Sequence, residues 1–429
     1  MGVERATGPT RNLTAVAEWT PQDPGRSALR LRRRTRTAIA VLWCLVGAAG
    51  CGSDGPASGQ SAAGVVTPSQ LESALTDLRT TEGAPWGVTV PGLAAAVVTT
   101  EDDDVITETT AASGIADPPG VTPLTNRDRF HVGSVTKTFT AALIMQLDQD
   151  GELSLDDSIS NWVDHPNGDA ITVEMLLGHT SGIPEYLELT DDPDATTPEE
   201  AVALAAAAPQ LADPAAAFAY TNTNYLLLGL IAEQVTGSSW EEEVRTRFIE
   251  PFDLTETYVW TGEPREPTIT GSRIACDDPG EPPCETPSDL PEVPVADSPF
   301  WTNSWAAGAI VSTPGDLAQW MRALVDGDVV DRDHVDLMTT PTPESLEFFA
   351  ELPPDGPLQL VGMGLGLATY EIDGLGTGYG HNGQVPGFVS NVAHLPDTGL
   401  TVAVTSNFEQ LNNLEILGEV AVRAVPGPS

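Results

Sequence analysis

Lysine is all but absent from this chain of 429 residues: Lys137 is the only one, and the other 18 cations are arginines. Cations of any kind are scarce, 19 Lys and Arg against 62 Asp and Glu, for a formal net charge of −43. A surface this acidic excludes a nucleic-acid partner, because phosphate binding requires a basic face. It suits a solvated extracellular protein. Arg keeps its proton inside proteins, whereas Lys gives one up when burial favours the neutral amine. A chain that uses Arg at every other cationic position thus marks residue 137 as a place where an amine is needed. Cysteine is sparse too, with four in all. No run of about 18 apolar residues occurs, so no membrane-spanning helix is expected. Internal repeats and metal-ligand spacings are lacking, and neither a metal nor another cofactor is expected. What remains is 41% hydrophobic, ample for a large core.

The amino-terminal region has its own pattern. The basic stretch Arg30-Leu-Arg-Arg-Arg-Thr-Arg36 precedes 13 apolar or small residues, 38–50. That run is too short to span a bilayer and reads as the core of a signal peptide occupying residues 1–50. Ala48-Ala49-Gly50-Cys51 resembles a bacterial lipobox, in which the Cys is lipidated and becomes the mature terminus. The expectation is an exported protein anchored by lipid on Cys51 at the extracytoplasmic face of the cell membrane, with plain secretion as the alternative. Residues 51–66, rich in Gly, Ser and Ala, read as a flexible tether reaching roughly 20–24 Å. Residues 67–429 then form the folded domain, taken to be a monomer. In an exported protein the remaining Cys276 and Cys284 are expected to pair. Closing that short loop stabilises the fold by about 2.5 kcal/mol in the chain-entropy model.

Periodicity and punctuation place the elements. Helices are expected over 68–80, 134–150, 171–178, 197–208, 222–236, 238–249, 314–326, 331–340 and 409–424. Strands are expected over 92–99, 105–114, 363–372, 387–395 and 400–407. Residues 262–299, with nine prolines and two cysteines, read as an irregular loop. Strands at both ends with helices between them imply an α+β fold. A central antiparallel sheet is completed by both termini and flanked by helices, and a helical lobe is inserted between.

Three short constellations carry chemistry. In Ser134-Val-Thr-Lys137 a serine opens a helix and the only lysine follows three residues later, on the same face. The helix start favours negative charge on the serine oxygen, and the amine stabilises that charge or takes the proton. Tyr220-Thr-Asn222 precedes the strongly apolar helix 222–236. A phenol can pass a proton and a carboxamide can bind a substrate amide; read alone, Asn222 is simply a helix cap. Gly380-His381-Asn382-Gly383-Gln384 enters a strand pair near the carboxyl end. There a glycine permits close approach, the next N–H can face an oxyanion, and His381 supplies a polar group of tunable charge. His179 reads as structural, and His131, His165 and His394 show no metal spacing.

Taken together and in order, Ser-x-x-Lys, Tyr-x-Asn and His-x-Gly resemble the serine β-lactamase and DD-peptidase superfamily, closest to its class C β-lactamase and Streptomyces-type DD-carboxypeptidase branch. Leu176-Leu-Gly-His-Thr-Ser-Gly-Ile183, Ala306-Ala-Gly-Ala-Ile-Val-Ser-Thr313 and Gly364-Leu-Gly-Leu367 extend the likeness to about residues 68–424. The resemblance implies a β-lactamase/transpeptidase-like fold and hydrolysis through an acyl-enzyme. Ser134 would be the nucleophile, with Lys137 and Tyr220 sharing proton transfer. Asn222 would contact the substrate amide, and His381 would replace the Lys of the Lys-Thr-Gly variant. The N–H groups of Ser134 and Gln384, beside Gly383, would form the oxyanion hole. The implied substrates are cell-wall peptides ending in D-Ala, β-lactams, or small esters and amides. The chain departs from the pattern in one respect: the third motif reads His-Asn-Gly-Gln, without the Thr or Ser that would meet a substrate carboxylate. Recognition of a carboxylate would then fall to a protonated His381, to amides, or to an arginine such as Arg273. The departure leaves room for an esterase or amidase, for a penicillin-binding sensor module without turnover, and for a structural envelope protein.

Overall fold

Two alanine- and valine-rich segments from opposite ends of the chain pair with each other, and this pairing closes the fold. The computed structural model describes residues 66–80, 89–101, 105–118, 120–262, 269–274, 292–295, 298–352 and 356–424. The expected signal peptide, Cys51 and the Cys276–Cys284 pair lie outside the described residues. The first elements are α1 (Pro68–Arg79), β1 (Gly92–Glu101), β2 (Val105–Gly114) and β3 (Phe130–His131). The helical lobe follows as α2 (Thr136–Gln149), α3 (Val173–Leu177), α4 (Pro198–Ala207), α5 (Asn222–Thr236) and α6 (Trp240–Val244). Next come β4 (Tyr258–Val259), β5 (Gly271–Ile274), β6 (Glu292–Val295), α7 (Phe300–Asn303), α8 (Trp305–Gly308) and β7 (Ile310–Ser312). The chain then runs through α9 (Pro314–Asp326), α10 (Arg332–Thr339) and α11 (Pro343–Ala350). It returns to the sheet as β8 (Leu358–Met363), β9 (Ala368–Ile372), β10 (Gly376–Val385), β11 (Phe388–Leu395) and β12 (Leu400–Ser406), and ends in α12 (Asn413–Ala424).

The main sheet has seven antiparallel strands in the order β2-β1-β12-β11-β10-β9-β8. The chain's early and late segments meet at β1 and β12, with Leu93 opposite Ser406 and Thr99 opposite Leu400. Alternation on β1 sends successive side chains to opposite faces. Ala96 and Val98 join one core with α2, α5 and α9, while Leu93, Ala95 and Val97 join a second core with α1 and α12. Both faces are therefore covered, which is why the strands read as nearly continuous apolar runs. The lobe between β2 and β8 is the expected helical insertion. Its helices begin at well-formed caps: Thr197 and Glu200 make a reciprocal capping box for α4, and Thr221 accepts the Thr223 N–H at the start of α5.

Several expectations need correction. Residues 363–372 are two strands, β8 and β9, around a turn closed by Gly364 N–H to Leu367 O at 2.8 Å. The glycines that make that turn interrupt no apolar pattern, so the break is invisible to periodicity. The glycine-rich β10 and the helix α11 were not anticipated, and the irregular stretch 262–299 contains the paired strands β5 and β6. Val66, expected as the last residue of a tether, is buried and its carbonyl accepts the Thr109 hydroxyl at 2.8 Å; residues 51–65 lie outside the described residues. The helix expected from Ser134 begins as a 3₁₀ turn over Gly133–Val135 before α2 proper.

The lobe is clamped to the sheet through an aromatic stack. Trp320 of α9 is fully buried, lies flat on Phe139 of α2 with centroids 4.0 Å apart, and donates its indole N–H to Thr138 Oγ1 at 2.8 Å. Trp320→Ala leaves a large cavity and an unpaired hydroxyl acceptor. It should cost about 3–5 kcal/mol, read as a lower urea midpoint with an unchanged slope.

Candidate active site

The serine turn is positioned by backbone contact with β10. Gly133 has φ of 52°, a conformation that disfavours side chains, and a Cβ there would sit 2.8 Å from the Gln384 nitrogen. The reciprocal contact is as tight: a Cβ on Gly383 would lie 2.0 Å from Val132 O and 3.0 Å from the Ser134 nitrogen. Ser390 Oγ on β11, opposite Gly383, donates to Val132 O at 2.7 Å and pins the turn to the sheet. The main-chain nitrogens of Ser134 and Gln384 are thus brought to one place by two glycines. This is the geometry an oxyanion site requires.

Lys137 follows Ser134 by one turn and is wholly buried. Its ammonium has three donors, and three acceptors surround it. Ser134 Oγ lies at 2.9 Å, Asn222 Oδ1 at 2.6 Å and the Ala307 carbonyl at 2.9 Å. The acceptors come from α2's own turn, from α5 and from α8, so the amine ties the serine to the lobe. The nitrogen also lies 5.1 Å from the ring centre of Tyr220 and 5.6 Å from that of Tyr225. The Tyr225 hydroxyl donates to Leu177 O at 3.1 Å, and burial pushes its pKa far up, so it stays neutral. Ser134 and Lys137, which their spacing put on one face, are therefore joined by Tyr220 and Asn222, which the resemblance implied. The remaining site residues, His381, Gly383 and Gln384, lie on β10 against the same turn.

His381 requires a correction. It is 1% exposed, and burial first, then the Lys137 charge, hold its pKa down to about 3. Its ring is neutral at physiological pH in the substrate-free site, not the cation that the sequence left open. Nδ1 pairs with the Asn382 carbonyl at 2.6 Å, which assigns the proton to Nδ1 and leaves Nε2 as an acceptor. The ring centre is 6.3 Å from that of Tyr220. Gln384 contributes its backbone to the site, because its carboxamide is turned away to donate to Glu409 O at 2.9 Å. Arg273, on β5, has the buried carboxylate of Glu409 as its charge partner.

Two further buried residues hold the Tyr220–Asn222 turn, His179 and Glu185. His179 is fully buried in a left-handed conformation, φ 56°, and stacks on Tyr220 with ring centres 4.4 Å apart. Its Nδ1 accepts the Thr221 N–H at 3.2 Å, and burial, reinforced by Lys137 and His381, holds it well below the usual histidine range. Glu185 gave no signal at all. It is buried, and its carboxylate accepts the N–H groups of Asn222 and of Leu187, the latter at 3.2 Å. Only the tertiary fold brings either residue to the Tyr220–Asn222 turn, since each is about 40 positions away in sequence.

Comparison with known proteins identifies the family. The Beta-lactamase family profile matches residues 79–425. Penicillin-binding protein 4 of Amycolatopsis lactamdurans is 28% identical over 328 residues, covering 73% of this chain and 83% of its own. Among solved structures, a D-stereospecific amidohydrolase from Streptomyces sp. superposes with a TM-score of 0.66 at 27% identity, over 84% of this chain and 99% of its own. The D-amino acid amidase of Ochrobactrum anthropi SV3, complexed with L-phenylalanine amide, gives 0.66 at 26% identity, over 83% and 96%. With its fold and sequence matched over most of its length, the chain belongs to the Beta-lactamase family, the serine hydrolase superfamily of β-lactamases and penicillin-binding proteins.

Proposed function

We propose that the protein hydrolyses acyl compounds through a covalent acyl-Ser134 intermediate. The observation that carries this reading is the 2.9 Å hydrogen bond between the buried amine of Lys137 and Ser134 Oγ. In its neutral form the Lys137 amine takes the hydroxyl proton as Ser134 Oγ attacks the substrate carbonyl carbon. The carbonyl oxygen becomes an oxyanion, held by the N–H groups of Ser134 and Gln384. Collapse of the tetrahedral adduct breaks the bond to the leaving amine or alcohol, which receives its proton from the Lys137–Tyr220 pair. Asn222 keeps the amine aimed at the serine and meets the substrate amide. Water then attacks the acyl-Ser134 ester by the reverse proton path and frees the acid.

On the leaving-group side, the site favours substrates without a free carboxylate. The resemblance pointed first to D-alanyl-D-alanine carboxypeptidase or β-lactamase activity on cell-wall peptides or β-lactams. Both substrate classes present a carboxylate next to the third motif, where this chain offers a neutral His381, a diverted Gln384 carboxamide and no hydroxyl. An unpaired anion in a buried site is strongly disfavoured. Amides and esters, including those of D-amino acids, fit this chemistry better. Two of the structural neighbours are named as D-stereospecific amidohydrolase and D-amino acid amidase. The signal-peptide-like stretch 30–50 and the lipobox-like Ala48–Cys51 support, in this proposal, a protein outside the cell tethered through Cys51.

Four outcomes test the reading. Ser134→Ala should abolish adduct formation with an activated ester or phosphonate, read by intact mass, and nitrophenyl ester hydrolysis with it. Slow or absent turnover by a wild type that still acylates would instead favour the sensor-module reading. Gly383→Ala forces β10 off the serine turn and should lower kcat by about 10²–10³, the range for loss of one oxyanion donor. A D-amino acid amide should be cleaved with kcat/KM at least ~10-fold above a matched dipeptide ending in free D-Ala, a difference of about 1.4 kcal/mol; the opposite preference would restore the carboxypeptidase. Cys51→Ser should move the protein from the membrane fraction into the medium.

A further inference from the structure

The acyl-transfer reading leaves one buried acid of the site without a role. Glu185 is 6% exposed and caps two helical segments at once. One carboxylate oxygen accepts the Leu187 N–H at the start of the 3₁₀ turn Tyr186–Glu188. The other accepts the N–H of Asn222, the first residue of α5. The turn that presents Tyr220 and Asn222 is therefore held by the Glu185 carboxylate together with His179, whose Nδ1 accepts the Thr221 N–H. Asn222 is also the residue whose Oδ1 takes the shortest of the three bonds from Lys137, 2.6 Å. An acid and the chain's only amine are thus joined through one intervening residue, and the Lys137 charge acts directly on Glu185.

We propose that Glu185 is a positioning residue for Lys137: it pins Asn222 against the amine and supplies the buried negative charge that sets how tightly the amine holds its proton. The groups that face this pair come from every element packed around it. Tyr220 and Tyr225 lie before and on α5, His179 at the end of α3, and His381 on β10. Burial keeps both histidines and the Tyr225 phenol neutral. Glu185 is the carboxylic acid of this group on which the Lys137 charge acts. Burial raises the Glu185 pKa, while its hydrogen bonds and Lys137 work the other way. The sign follows directly. A carboxylate beside an ammonium favours the charged amine, so removing the negative charge loosens the amine's proton and extends the active form of the base toward lower pH.

The inference rests on the acyl-Ser134 reading for its catalytic meaning, but its test does not depend on turnover. Because Lys137 is the only lysine, the full chain labelled with [ε-¹³C]lysine gives one resonance that reports on this amine. In the wild type that resonance should move in two steps with pH, a smaller one as Glu185 titrates and a larger one as Lys137 does, as expected for coupled sites. In Glu185→Gln, which keeps an acceptor for Asn222, the smaller step should vanish. The main midpoint should fall by about one pH unit, and the acid limb of kcat/KM for a nitrophenyl ester should fall with it. Glu185→Asp, which keeps the charge, should restore the two-step titration. A one-step wild-type curve overturns the proposal whether or not the variants fold. A folded Glu185→Gln with its lysine midpoint and acid limb unmoved also overturns it and leaves Glu185 a structural cap. If the lysine behaves as expected but Ser134 accepts no acyl group, the electrostatic pairing stands and the hydrolase reading falls.

Discussion

A buried ammonium needs acceptors in three directions, and the site is organised around supplying them to Lys137. Taking this charge out of water is costly unless each donor is satisfied. The three partners sit on three separate pieces of chain: the serine turn, the start of α5 and the end of α8. None of these pieces is held near the others by local sequence. The amine acts as the common knot, and the packing of α2 against α5 and α8 is what delivers the acceptors. A serine hydroxyl placed beside such a knot is pre-oriented.

The surface and the site have opposite electrostatic characters. The chain carries a formal charge of −43, yet beneath the surface the groups around the serine are largely neutral by burial. His179 and His381 are held uncharged, and Tyr225 cannot ionise. Burial raises the Glu185 pKa among these groups, and the Lys137 charge acts against that rise.

The contact between β10 and the serine turn shows how glycine is used where backbone must meet backbone. Gly133 and Gly383 allow two main chains to touch, so the nitrogens of Ser134 and Gln384 converge. Either side chain, however small, would separate them. The third motif therefore acts through shape more than through the identity of its polar residues. This is consistent with Asn382 and Gln384 standing where other members of the superfamily have hydroxyl residues.

The sequence by itself determined the elements with strong periodicity and the residues that spacing brings together. Ser134 and Lys137 share a helix face because three residues make nearly one turn, and the lone lysine marked itself through composition. The apolar helix 222–236 and the strands β1, β11 and β12 were legible because burial on both faces leaves continuous hydrophobic runs. Tertiary structure alone decided the rest. It split residues 363–372 into two strands, formed β10 from a glycine-rich stretch without an apolar pattern, and carried His179 and Glu185 to the Tyr220 turn. It also set the charge of His381, which the sequence left free to be a cation. The physical reason is common to all of these: periodicity records which face of an element is buried, but proton affinity and long-range contact depend on what is buried against it.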